Sequence, residues 1–276
     1  MTINCNGNLI DLTTPKVMGI LNITPDSFFD GGNYNDEKEI LNQTKKMLDE
    51  GATFIDVGAY SSKPNAKKVS ESEELARIIP VIKLLKKHFP QIIISVDTFR
   101  SKVAKEAIQA GASIINDISA GILDAKMFEI IAELQVPYIM MHMQGTPQDM
   151  QLNPVYQDIV KEIISFFAEK LATLRALKVN DVIIDVGFGF GKTNEHNYEL
   201  LKKLSLFKSL EVPILTGISR KSMLYKVLEI SPKEALNATT VANTIALLHG
   251  TKILRVHDVK QAVEAVKIVE KLQEIS

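Results

Sequence analysis

Eight short apolar runs, each followed by a segment of helical period, constrain this chain more than any other feature. The runs cover residues 17–21, 53–57, 92–96, 113–115, 138–141, 182–185, 214–215 and 253–256. They are apolar almost throughout instead of alternating, which is the pattern of strands covered on both faces. Between them, Leu75, Ile78, Ile79, Ile82 and Leu85 recur at helical spacing behind Ser70 and Glu73, a capping-box pair. Pro80 inside this segment predicts a kink, because it lacks a donor and crowds the preceding turn. A longer helical pattern runs through Val160, Ile163, Ile164, Phe167, Leu171 and Leu174, shortly after Pro154. The last one, Val259, Ala262, Val263 and Val266, follows Asp258, which is placed to cap it. Eight strand–helix units imply a (β/α)8 TIM barrel, one domain over residues 1–276 with a short N-terminal extension. The rival is a doubly wound open sheet, and the run at 214–215 is the strand on which closure depends.

Composition removes several classes of function. With 32 basic against 33 acidic side chains, the chain has no surplus of cations to release counterions from a polyanion, so no nucleic-acid partner is expected. Any anion site must be local. Cys5, the one cysteine, cannot close an intrachain disulfide, and the first dozen residues are too polar for a signal peptide, so the cytoplasm is the expected compartment. No apolar run approaches the ~20 residues that span a bilayer, so no membrane partner is expected either.

In a (β/α)8 barrel the loops that follow the strands form the active face. The residues at or just beyond the strand ends are Asn22, Asp56, Asp97, Asn116, His142, Asp185, Ser219 with Lys221, and Arg255 with His257. A plainer alternative is that each merely caps the next helix, but repetition around eight strands argues for a common site. Two long loops, 22–36 and 58–70, guard the same face. Several apparent motifs fail on spacing. Gly187 to Lys192 imitates a phosphate-binding loop, but the first glycine of that pattern falls on Val186, and the dinucleotide fingerprint fails because Lys192 replaces its last glycine. Lys221 stands where a nucleophile elbow around Ser219 needs glycine. The histidines at 88, 142, 196, 249 and 257 lack zinc spacing.

A series of motifs in fixed order then carries a family resemblance. Met18-Gly19-Ile20-Leu21-Asn22-Ile23-Thr24-Pro25-Asp26-Ser27-Phe28, with Asp30-Gly31-Gly32, resembles the opening loop of dihydropteroate synthases. Val96-Asp97-Thr98, Ile115-Asn116-Asp117, Met141-His142-Met143-Gln144-Gly145-Thr146-Pro147, Asp185 to Lys192, Ser219-Arg220-Lys221-Ser222 and Arg255-Val256-His257-Asp258 continue it. The resemblance implies a barrel that condenses 6-hydroxymethyl-7,8-dihydropterin diphosphate with 4-aminobenzoate, releasing pyrophosphate and forming 7,8-dihydropteroate for folate biosynthesis. It implies that Asp97, Asn116, Asp185 and Lys221 hold the pterin, with Asp56, Met140 and Gly217 also lining the substrates. Asn22, Arg255 and His257 would meet the diphosphate, Asn22 as a ligand of Mg²⁺. Phe190, Ser222 and the second loop, with Ser62, Lys63 and Pro64, would border the aminobenzoate. A homodimer through the later helices is implied too.

The chemistry is consistent with that set. A pterin offers adjacent N–H donors on its aminopyrimidine edge, which carboxylates can accept, while Lys221 donates to ring acceptors opposite. Diphosphate leaves once its charge is spread, and an aromatic amine, neutral at pH 7, needs no strong base. The second loop departs from the family. It reads Ser61-Ser62-Lys63-Pro64-Asn65 where Ser-Thr-Arg-Pro-Gly is usual, so the bidentate guanidinium and a freely left-handed glycine are missing. An altered response to sulfonamides, which mimic aminobenzoate, is expected. Two other readings remain open, a pterin-dependent methyltransferase serving a corrinoid and a barrel that binds pterin without turnover. Arg255, His257 and Lys63 at the anion end favour the synthase.

Overall fold

The structure is a computed structural model that describes residues 1–23, 34–60, 69–150 and 152–275, with the backbone alone at 34–36. Ten strands and nine α-helices alternate among these residues. A hairpin, β1 (Thr2–Cys5) and β2 (Asn8–Asp11), comes first. The barrel then follows as β3 (Lys16–Asn22), α1 (Tyr34–Asp49), β4 (Phe54–Gly58), α2 (Glu71–His88), β5 (Ile93–Asp97), α3 (Ser101–Gln109), β6 (Ile114–Asp117) and α4 (Met127–Leu134). Its second half is β7 (Tyr138–Met141), α5 (Ile159–Ala176), β8 (Val182–Asp185), α6 (Asn194–Lys202), β9 (Ile214–Thr216), α7 (Ser222–Tyr225), α8 (Leu236–Leu248), β10 (Ile253–Val256) and α9 (Val259–Gln273).

All eight expected strands are present, and the sheet closes. Strand β10 pairs in parallel with β9 and with β3, placing Ile253 opposite Lys16 and Val256 opposite Gly19. The open-sheet rival is thereby excluded. The weak run at 214–215 becomes a strand of three residues, bonded to β8 and β10. No helix among the described residues is long and apolar enough to cross a membrane.

The N-terminal extension is a hairpin that plugs the barrel floor. Its turn is Asn6-Gly7, both at positive φ (52° and 86°), the pair that the tight two-residue hairpin turn requires. Ile3, Cys5 and Leu12 pack against Met18, Phe54, Ile114, Ile139, Ile183, Leu215 and Ile253, the lowest inward layer of the barrel. Each such side chain contributes roughly 1.5–3 kcal/mol through burial. Two residues further along the strands, the inward layer turns polar, with Asp56, Ser95, Asn116, Asp185 and Arg255. Side-chain alternation along a strand thus puts an apolar floor directly beneath a polar site.

Helix starts differ from expectation in instructive ways. Ser70 does cap α2, accepting from the Glu73 N–H at 3.2 Å, but the Glu73 side chain turns to Arg77 instead of completing a capping box. Pro80 lies inside α2, which continues to His88. Asp158 caps α5 by accepting from the Lys161 N–H. Asp258 makes no capping bond on α9, because both its oxygens are taken by Arg220.

Candidate active site

The site is built on the C-terminal ends of the barrel strands. Arg255 on β10 reaches across the barrel mouth: its Nε donates to Asp56 Oδ2 at 2.6 Å and its Nη2 to Asp97 Oδ2 at 2.8 Å. Asn116 Nδ2 donates to the same Asp56 oxygen at 3.1 Å. Strands β4, β5, β6 and β10 are thus joined by one hydrogen-bonded group. The Asp56 side chain is fully buried, whereas those of Asp97 and Arg255 are 24% and 21% exposed. Asp56 therefore supports the site from beneath, and Asp97 and Arg255 open onto it.

Across the mouth, Asp185 accepts the Gly187 N–H at 2.8 Å through Oδ1, and its Oδ2 takes no hydrogen bond from a described residue. Gly217 leaves the space beside it open, since a Cβ there would stand 3.7 Å from that oxygen and 4.0 Å from Arg255 Cβ. Lys221 donates to the Phe188 carbonyl, and its Nζ lies 4.8 Å from the centre of the Phe190 ring. Ser222 opens α7 next to it. Asn22 ends β3 above Gly58, and a Cβ on Gly58 would lie 3.8 Å from its Oδ1.

Burial lowers the Lys221 ammonium to about 8; Asp185 opposes this and Arg255 adds to it. Burial raises Asp185, with Lys221 and the Gly187 N–H opposing. Asp97 is also raised by burial, against the pull of Arg255 and with a push from Asp56. The Ser219 hydroxyl accepts the backbone N–H of His257 at 3.2 Å and stands 3.0 Å from its Nδ1. The two contacts fix the imidazole against the Ser219 hydroxyl. Partial burial and the Arg255 charge lower His257 to about 4, so it offers a neutral N–H donor at pH 7 and not a second cation.

The structure brings together Asn22, Asp56, Asp97, Asn116, Asp185, Phe190, Gly217, Lys221, Ser222, Arg255 and His257. Met140 does not join them. It is fully buried in the cluster shared with the outer helices, while its neighbour Met141 groups with Ile118, Met143 and Met150, against which Phe99 and Phe190 pack. Register explains this: Asn116 stands opposite Ile139, so Ile139 and Met141 share the inward face. Ser62, Lys63 and Pro64 lie outside the described residues, as does 24–33 of the first loop. Among the described residues, no strand-closing Asp or Asn caps a helix in the way the plainer alternative required. Asp117 serves its own loop, accepting from Ser119, Gly121 and the Tyr138 hydroxyl.

Two groups that the sequence places in motifs without giving them a role support the site. Arg220, at φ 55°, grips Asp258 with two bonds of 2.8 and 2.9 Å and the carbonyls of Pro232 and Lys233, aiming the Ser219–Lys221 turn at the mouth. Lys192 is buried, with Nζ bonded to the Phe190 carbonyl (2.9 Å), the His142 carbonyl (3.2 Å) and His142 Nδ1 (3.1 Å). Burial pushes Lys192 well below its ordinary value and His142 down to about 3. The glycines of this stretch are spacers, not a phosphate cradle. A Cβ on Gly187, at φ 72°, would meet the His142 carbonyl oxygen at 2.0 Å, and one on Gly191 would meet that of Gln144 at 2.4 Å.

Comparison with known proteins places this geometry among its relatives. Residues 18–257 match the family model described as pterin binding enzyme. The chain is 42% identical to the dihydropteroate synthase of Escherichia coli K12 over 272 residues, covering 98% of this chain and 96% of that one. The Haemophilus influenzae dihydropteroate synthase is 41% identical over 97% of this chain and 98% of its own. Among solved structures, a Yersinia pestis dihydropteroate synthase in complex with a sulfonamide drug superposes with a TM-score of 0.92 at 42% identity, covering 99% of this chain and all of that one. A Xanthomonas albilineans dihydropteroate synthase with 4-aminobenzoic acid gives 0.91 at 35% identity, covering 100% and 99%.

Proposed function

The chain belongs to the pterin-binding enzyme family, and from that premise we infer that it condenses 6-hydroxymethyl-7,8-dihydropterin diphosphate with 4-aminobenzoate, giving 7,8-dihydropteroate and pyrophosphate in folate biosynthesis. The observation that carries this reading is the convergence of Asp97, Asn116, Asp185, Lys221 and Arg255 from distant parts of the chain onto one barrel mouth. Incubating the enzyme with both substrates and detecting dihydropteroate by mass, with release of pyrophosphate, tests it. Pterin binding without pyrophosphate release would refute it.

Asp185, whose Oδ2 is open, accepts N–H groups of the pterin edge, and Asp97 accepts through the oxygen that Arg255 leaves available. Lys221 and Asn116 donate from the polar side. Phe190, backed by Met141, Met143 and Ile118, offers an apolar wall to the flat rings. Rigid strands hold these groups, so the ring system binds in one orientation, with its exocyclic methylene toward the Asn22, Arg255 and His257 side.

The donor set at that side fits Mg²⁺ held mainly by substrate phosphates and water: Asn22 offers a neutral oxygen, and among the described residues no three His, Cys, Asp or Glu side chains gather as a metal site. When bound there with Asn22, Mg²⁺ supplies charge neutralisation to the diphosphate. Arg255 adds a positive charge, and His257 a neutral imidazole held beside the Ser219 hydroxyl. The carbon–oxygen bond breaks, and the diphosphate departs with its electron pair. The ring electrons of the pterin stabilise the methylene cation, and the aminobenzoate nitrogen then forms the carbon–nitrogen bond and loses one proton to solvent. No side chain is assigned as a general base. Positional isotope exchange in the diphosphate without aminobenzoate is the expected signature of this order, and its strict dependence on aminobenzoate would refute it.

Phe190, Ser222 and the Ser62–Lys63–Pro64 segment border the aminobenzoate, and sulfonamides compete there. The same reading makes the enzyme a cytoplasmic homodimer. Val241, Ile245 and Leu248 on α8 are exposed at i, i+4, i+7 spacing, and Ile268 and Leu272 on α9 at i, i+4, with Ile275 exposed just past its end. These two apolar stripes suit a second copy of the chain. Sedimentation of Val241→Glu/Ile268→Glu as a monomer, against a wild-type dimer, is expected; an unchanged sedimentation coefficient refutes the assignment.

A further inference from the structure

Three successive residues of the turn after β8 surround the Lys221 side chain. The Phe188 carbonyl accepts from its Nζ, the centre of the Phe190 ring lies 4.8 Å from that nitrogen, and a Cβ on Gly189 would stand 3.4 Å from its Cδ. The turn itself lies on the loop after β7, so close that Gly187 and Gly191 have no room for a side chain, and two side chains tie it there. Lys192 Nζ meets the Phe190 carbonyl at 2.9 Å and the His142 carbonyl at 3.2 Å, joining the turn to the end of β7. A carbonyl only accepts, so Nζ donates to both whether or not it carries its third proton. Its remaining contact is with His142 Nδ1, at 3.1 Å. On the far side of the turn the Tyr156 hydroxyl donates to the Gly191 carbonyl at 2.8 Å. The Tyr156 ring is held in turn by those of His142 and His196, with centres 6.1 and 5.0 Å away.

Lys192 is 3% exposed, and none of its three hydrogen-bond partners is an anion. Burial disfavours its charge, and Asp185 opposes this only through space. An apolar side chain of the same length would fill that position without the desolvation penalty of an ammonium. What it could not do is hold the two carbonyls together. We propose that Lys192, with Tyr156, is a positioning residue for Lys221: the pair fixes the 187–191 turn on the loop after β7, so that the Phe188 carbonyl and the Phe190 ring hold the Lys221 amino group where it meets the pterin. The proposal rests on the reading that Lys221 binds the pterin.

The experiment is a double-mutant cycle of Lys192→Met with Lys221→Met, and Tyr156→Phe is made on the same two backgrounds as a milder change. Dissociation constants of the pterin diphosphate are measured by calorimetry without aminobenzoate, on proteins whose thermal unfolding shows them to be folded. Lys192→Met keeps the side-chain length and loses the donors, so binding about tenfold weaker is expected; Tyr156→Phe loses one hydroxyl and should weaken it about threefold. On the Lys221→Met background the same changes weaken binding by at most about threefold and less than about twofold, the remainder passing through the Phe190 wall. Unchanged affinity in both variants, or weakening by the same factor on both backgrounds as a merely structural role would give, overturns the proposal. If Lys192→Met does not fold, Tyr156→Phe decides by the same two criteria. If Lys221→Met itself leaves pterin affinity unchanged, the reading of Lys221 fails; if it weakens binding while Lys192→Met and Tyr156→Phe do not, the positioning role alone fails.

Discussion

Replacing Asp56 by asparagine tests whether this residue acts on substrate directly or through Arg255. Its side chain is fully buried, and Oδ2 takes both Arg255 Nε at 2.6 Å and Asn116 Nδ2 at 3.1 Å. A hydrogen bond to a charged group contributes about 1.5–3 kcal/mol, and a neutral one about 0.5–1.5. The amide oxygen of asparagine can still accept from Nε, so the change costs the difference, about 1–2 kcal/mol. Asp97 still holds Nη2, which keeps the guanidinium near its place. The expected fall in kcat/KM for the pterin diphosphate, at saturating aminobenzoate, is about 5- to 30-fold. On an Arg255→Lys background the same substitution should add little, because the fork it supports is already gone. Steady-state kinetics of the four proteins in this cycle, with calorimetric unfolding to follow stability, give the coupling. Equal effects of Asp56→Asn on both backgrounds would refute the argument and place Asp56 in contact with substrate.

Four further outcomes are expected. Lys221 is lowered to about 8, so the free enzyme loses this positive charge as pH rises through that value, and pterin affinity should fall between pH 7 and 9 in wild type but not in Lys221→Met. For stability the sign is opposite: between about 8 and the ordinary lysine value the unfolded chain binds more protons than the folded one, so denaturant titrations over that range should show wild type gaining stability with pH relative to Lys221→Met. Gly187→Ala puts a Cβ 2.0 Å from the His142 carbonyl oxygen at φ 72°, and should cost about 2–3 kcal/mol by calorimetry; a loss below about 0.5 would contradict the close-approach argument. Restoring Ser62→Thr, Lys63→Arg and Asn65→Gly together should change the aminobenzoate KM or sulfonamide inhibition, and no change in either would sink the link between this loop and the altered response.

Periodicity in the sequence was enough to find all eight barrel strands and the polar residues that crown them, because parallel strands buried on both faces are unbroken apolar runs and the polar residue ending each run stands out. The Asn6-Gly7 pair of the floor hairpin is a turn signal in the sequence as well, although apolar periodicity marks this stretch only as a short N-terminal extension. What the chain hides is which side of an apolar strand faces inward. In β7, Tyr138, Ile139, Met140 and Met141 are all apolar and all buried, so nothing in their order separates the barrel lumen from the helix layer. Only the register with β6 puts Met141 inside and Met140 outside.

Partner choice was equally invisible. Asp258 sits where a helix cap belongs, and Glu73 where a capping box belongs, but long guanidinium side chains from distant or neighbouring turns claim them instead. Local spacing determines which groups are available along the chain, and so it determined the barrel and the polar set at its mouth. Which carboxylate each arginine takes, which histidine stays neutral and which glycine must have no side chain depend on atoms brought together from up to 199 positions apart, as Arg255 and Asp56 are. Those distances exist only once the cylinder has closed.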